Sequence, residues 1–172
     1  MNEALKEILA GKVSRDLLLT HIDKHPEYFS AALELALDND PILSWRATWM
    51  INQSMVNNDE RIEPHLKKII EAVKTKRDGH QRELLKILTR MNIDEDIEGC
   101  LFDICMLIWE DVDKIPSVRI TAFRIIVDIA KKYPELVNEI EFLTQKHYAE
   151  TLSPGIMGSF YRMKKELAKT NN

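Results

Sequence analysis

DPILSWRATWMI (40–51) and DKIPSVRITAFR (113–124) are built to one plan. Each starts with Asp, places Ser four residues later and Arg at six. Each has Pro near the start, where a helix makes no use of an N–H, and apolar residues then recur at helical spacing. DGHQRELLKIL (78–88) lies between them and supplies Arg82. Arg46, Arg82 and Arg119 are therefore 36 and 37 residues apart. Aligning on them stacks Trp49, Leu85 and Ala122, and then Asn52, Leu88 and Ile125. Most of these are apolar or small, as a shared buried seam requires. A fixed period of this length marks an array whose units bury their faces against one another.

The rest of the chain carries the same punctuation. Ser14 is placed to cap a helix over RDLLLTHIDKH, and Pro26 opens EYFSAALELAL. Asp40-Pro41 starts the helix with the two tryptophans, and Pro64 opens HLKKIIEAVK. Asp78-Gly79 reads as a break before HQRELLKILTRM. Asp94 precedes an apolar-periodic run to about Trp109, and Pro116, Pro134 and Pro154 each open a further helix. Alternation of period two is absent over any useful length, so no strand is predicted. The expectation is about ten helices in one domain, 1–172. Residues 1–25 form an N-terminal helical cap and 26–170 the repeats.

These motifs resemble the HEAT-repeat family of α-solenoids and their armadillo relatives. Residues 113–136 match best and 40–51 next. The unit around Arg82 departs, with Lys76 where Asp is expected, and the unit with SPGIMGSFYRMKKEL has no Arg in register. The resemblance implies an all-α, right-handed superhelix of about four helix pairs. It also implies a scaffold that binds partners, although a fold of this kind hosts sites rather than dictating them. Asp40 with Arg46, and Asp113 with Arg119, are expected to form a structural ladder bracing the turns.

Composition and motifs exclude several other classes. A chain of 172 residues that is 45% hydrophobic and 30% charged is long enough to fold without metal or disulfide. Glu3 and Glu7 interrupt the first residues, so no secretory leader is expected, and no apolar run is long enough to span a membrane. The expected compartment is the cytoplasm. Cys100 and Cys105 lack C-x-x-C spacing and point in different directions along a helix. His21 and His25 share a helix face but lack the third and fourth ligands of a zinc site. Asp94, Glu95, Asp96, Glu98 and Asp103 suit a helix's first turns and do not match a calcium loop. No phosphate-binding Gly loop or nucleophile elbow occurs, and SPGIMGSF lacks the order of a lyase signature loop. Neither catalytic residues, metal nor cofactor are predicted.

Charge is unevenly spread although the net is only −4. Acids dominate the first helices of the pairs taken together, and Lys and Arg dominate the second helices. In arrays resembling HEAT repeats the second helices line the concave face. That implies a basic groove carrying Trp45, Arg46, Trp49, Arg82, Lys86, Arg90, Arg119 and Arg124. The expected partner is a protein or acidic peptide, with Trp and Arg as anchors. Nucleic acid is the alternative, since phosphates also attract such clusters. An enzyme resembling the HEAT-like alkylpurine DNA glycosylases ranks last, because no clear catalytic Asp accompanies the Trp/Arg group. Two questions stay open on the sequence: whether Trp45 is exposed, and whether Arg46 pairs with Asp40 or faces a ligand.

Overall fold

The computed structural model describes residues 2–11 and 14–170. Those residues are helices and turns, with no strand among them. They group into two compact units, Met1–Ile93 and Asp94–Asn172.

The first unit holds α1 (Asn2–Ala10), α2 (Arg15–Lys24), α3 (Glu27–Leu37), α4 (Leu43–Ser54), α5 (Leu66–Thr75) and α6 (Asp78–Leu88). Helix α3 packs on α4, α5 on α6, and α4 on α6. Helices α1 and α2 lie on the α3–α4 pair. Ser14 caps α2 as expected, its Oγ accepting the Leu17 N–H at 3.3 Å. Asp40 Oδ1 accepts the N–H groups of Ile42 (2.9 Å) and Leu43 (2.8 Å), so Pro41 lies in the turn and the helix begins two residues later. The expected break at Asp78-Gly79 is not one: α6 starts at Asp78 and Gly79 sits in its first turn. An acid at that position favours the positive end of the helix. The core is mostly aliphatic, with Ala32, Ala47, Ile51, Ile69, Val73, Leu84 and Leu85 buried beside Phe29.

The second unit holds α7 (Glu95–Glu110), α8 (Pro116–Ala130), α9 (Val137–Phe142), α10 (Lys146–Ala149) and α11 (Pro154–Thr170). Helix α7 packs on α8, and α11 packs on both α8 and α9. A single helix is expected to run on from Pro134, over about 134–149. Instead a 3-10 turn, Pro134–Leu136, precedes two short helices. The reason is competition for backbone groups at the break. Thr144 Oγ donates to the Glu141 carbonyl (2.7 Å), and the Leu143 carbonyl accepts the Trp109 indole N–H (2.9 Å). Trp109, Phe123 and Phe160 form the aromatic centre, with ring centroids 4.3–5.6 Å apart. Offset and tilted rings at such distances add to the burial term.

Polar contacts between neighbouring pairs follow the repeat. Ser44–His80, Arg46–Gly11, Arg90–Asn52 and Trp109–Leu143 are separated by 36, 35, 38 and 34 residues. Each unit of a repeat array touches chiefly its neighbours, so contacts recur near one period.

Candidate functional site in the first unit

Trp45 and Trp49 lie one turn apart on α4, and both are half-buried. They face a hollow of about 200 Å³ lined by Ile8, Leu9 and Gly11, by Leu18 of α2, and by Arg46. The fit of α4 to α6 leaves Trp45 on this side. A Cβ at Gly79 would stand 3.9 Å from Trp45 Nε1, so the edge of the indole rests on the first turn of α6. Neither indole N–H donates to a protein group among the described residues.

Arg46 is the charged residue of the lining among the described residues. One Nη atom donates to the carbonyls of Leu9 and of Gly11, the latter at 2.9 Å. These carbonyls end α1 and have no partner within the helix, so Arg46 supplies one and favours the negative end of the dipole. No Asp40–Arg46 pair forms among the described residues, because Asp40 is occupied by its own turn. Arg15 stands one turn before Leu18, and its Nε donates to Gln53 Oε1 at 2.7 Å, one turn past Trp49. It is a second cation in the sequence neighbourhood of the lining residues Leu18 and Trp49.

The other expected groove cations bond to neighbouring groups, with Lys86 still exposed. Arg82 and Lys86 both reach Oε1 of Glu83 (2.8 and 3.0 Å), whose side chain is 2% exposed. Asn52 also donates to that carboxylate at 3.1 Å. Arg90 donates to the carbonyls of Asn52 (3.0 Å) and Met55 (2.6 Å), capping the end of α4. Lys76, which replaces the ladder Asp, donates to the Asp38 carbonyl at 2.6 Å and caps α3 in the same way.

Within the second unit, Arg124 pairs with Glu166 at 3.0 Å. Arg119 is not on a groove surface: it is fully buried. Its guanidinium donates to the carbonyls of Trp109 and Tyr148 and to Thr151 Oγ. Its partners are these carbonyls and the Thr151 hydroxyl, not the Asp of the expected ladder. No Asp113–Arg119 pair forms among the described residues, and Asp113 is exposed.

A buried polar group between α4 and α6 was not singled out from the sequence. His80 is 5% exposed, with Nε2 2.9 Å from Thr48 Oγ and Nδ1 3.4 Å from Ser44 Oγ. Thr48 Oγ donates to the Ser44 carbonyl, so it accepts from His80 Nε2–H. Burial, and then the nearby Lys76 charge, push the imidazole down to about 4. It is a neutral structural contact at pH 7. The signal was present in the spacing: Ser44 and His80 are one period apart. Elsewhere, Cys105 is buried and Cys100 half-buried. His25 meets Glu27 at 3.2 Å. Among the described residues no group of three or more His, Cys, Asp or Glu is placed to hold a metal ion.

Paired antiparallel helices with carbonyl-clamping residues at one period define a helical repeat protein. A family model described as a HEAT repeat domain matches residues 1–167, and the chain belongs to the HEAT repeat family. No curated protein and no solved structure matches it. The family consists of helical repeat scaffolds that generally mediate protein interactions and are generally non-enzymatic. Among the described residues no helix is long and apolar enough to cross a membrane.

Proposed function

We propose that this chain is a non-enzymatic scaffold that binds a partner protein through the hollow at Trp45 and Trp49. The observation that carries this reading is the hollow itself, open and almost wholly apolar in its lining. At about 200 Å³ it falls below the roughly 300–1,000 Å³ of small-molecule sites, and it suits a side chain of a partner better than a cofactor. Trp and Arg are the residues most enriched where a few contacts dominate binding. The basic residues expected of a groove support this reading less than their charges suggest, because Arg82, Lys86 and Arg90 in the first unit and Arg124 in the second are each engaged by residues of their own unit. For the same reason nucleic acid is the second reading.

Pull-down with the full chain tests the proposal. Partners captured by the natural chain are expected to be lost with Trp45→Ala plus Trp49→Ala, in protein shown to be helical. Retention of every partner by that variant would refute the hollow as the site. Tight, salt-sensitive binding to any duplex would favour the nucleic-acid reading.

A further inference from the structure

We infer that the hollow selects a peptide segment in which one bulky apolar side chain is flanked by carboxylates. The inference rests on the proposed binding role of the hollow and adds the chemistry of its occupant. Apolar walls from Ile8, Leu9, Leu18, Trp45 and Trp49 call for an aliphatic or aromatic side chain. A hollow of about 200 Å³ has room for an anchor of that size but not for a folded element.

The polar groups around it are donors. Arg46 lines the hollow, and its Nη contacts to Leu9 and Gly11 leave the rest of a five-donor fork. The Trp49 indole N–H has no protein acceptor among the described residues, whereas the N–H edge of Trp45 rests against Gly79 of α6. Arg15, bonded to Gln53, adds a cation on α2 one turn before Leu18 of the lining. Among the described residues no acid contributes to the lining. An occupant with acceptors and negative charge on either side of its anchor matches these donors. One with Lys or Arg there would place like charges beside Arg46 and Arg15, a cost that excludes partners more effectively than it strengthens the right one.

Fluorescence polarisation on the full chain tests this with short labelled peptides of fixed length. One has a central Leu between pairs of Glu. A second has Ala for Leu, a third has Lys for the Glu residues, and a fourth has Ser there. The Glu–Leu peptide is expected to bind, and loss of the Leu to weaken it about tenfold or more. The Lys-flanked peptide is expected to bind about tenfold more weakly than the Ser-flanked one. Arg15→Glu should weaken the Glu–Leu peptide several-fold more than it weakens the Ser-flanked peptide. Raising salt from about 50 to about 300 mM should narrow the gap between Glu and Ser flanks.

Equal binding of Glu, Ser and Lys flanks, with the Leu still required, would overturn the acidic preference while leaving the binding role of the hollow intact. Indifference to both Leu and flanks would overturn the inference and the binding role together. Preference for Lys flanks would overturn the inference alone.

Discussion

Arg119 holds Trp109 by both ends. Its guanidinium lies 4.8 Å from the indole ring centroid, and it donates through Nε and Nη to the Trp109 carbonyl at 3.1 and 2.9 Å. The remaining donors reach Tyr148 and Thr151, so one buried side chain ties the end of α7 to the turn after α10. Desolvation of the guanidinium lowers its pKa, and the nearby Asp111 opposes that shift.

Replacing Arg119 with Leu should therefore destabilise the second unit by about 3 kcal/mol or more. The carbonyls of Trp109 and Tyr148 would be left without partners in a closed core, each costing roughly 1–3 kcal/mol. Arg119→Lys should fail as well, because an ammonium cannot reproduce the planar fork. Urea unfolding followed by Trp109 emission reads this, and unchanged midpoints would show the clamp to be dispensable.

His80 makes the first unit acid-sensitive. Its ordinary pKa is near 6.5 and the folded value is about 4, so the unfolded chain binds the extra proton between those limits. Stability is complete above about 6.5 and declines as pH falls toward 4, by on the order of 3 kcal/mol. His80→Gln should flatten the profile over that window when thermal melts are followed by Trp45 and Trp49 emission. A wild-type profile level from pH 7 to 4 would contradict the assignment.

Asp59 acts at lower pH. Arg61 binds its carboxylate through Nε (2.8 Å) and Nη (2.6 Å) and holds it at about 2. That contribution is present above the ordinary Asp pKa near 3.8 and is lost as pH falls toward 2. It amounts to at most about 2 kcal/mol, reduced by solvent screening because Arg61 is 45% exposed. Asp59→Asn should lower stability at pH 7 and remove the part of the acid transition below pH 4. Arg61 also stacks 3.6 Å over the Phe29 ring, so Arg61→Ala should cost more than Asp59→Asn.

Asn58 adopts φ 53°, a conformation that glycine and asparagine tolerate and β-branched residues do not. Its N–H donates to the Arg90 carbonyl (2.8 Å) and its Oδ1 accepts the Asn92 N–H (2.7 Å). Asn58→Val should cost about 2 kcal/mol or more through strain and the lost acceptor. Asn58→Gly should cost about 1 kcal/mol, since it forfeits only the acceptor. Equal melting temperatures for the two variants would rule out the strain argument.

Two helical glycines offer gains. A Cβ at Gly99 in α7 or at Gly158 in α11 would meet nothing within 4 Å. Each Gly→Ala change should stabilise by about 0.5–1 kcal/mol. Thermal melts of the single variants and their pair check the gain and its additivity.

Much of the fold was legible because it depends on local signals. Ser14, Asp40, Pro116 and Pro154 mark real helix starts or the turns that precede them. The 36–37 residue period anticipated which segments meet. The interrupted stretch over 134–149 was not legible, because the Trp109 indole that takes the Leu143 carbonyl comes from 34 residues away. The site was half legible. The tryptophan pair stood out as a pair that does not recur, whereas the hollow depends on α1 and α2 lying against α4.

The sequence by itself determined that the chain is helical, that it repeats, and that Arg46, Arg82 and Arg119 occupy one register, since caps and apolar spacing act over a few residues. Only the tertiary structure decided what those arginines do. Register places a side chain, but its use depends on what the neighbouring segment brings within reach. Arg46 meets the open carbonyls of α1, Arg119 meets those of Trp109 and Tyr148 in a closed core, and Arg82 reaches the buried Glu83. A guanidinium taken from water must recover its hydrogen bonds from whatever lies opposite.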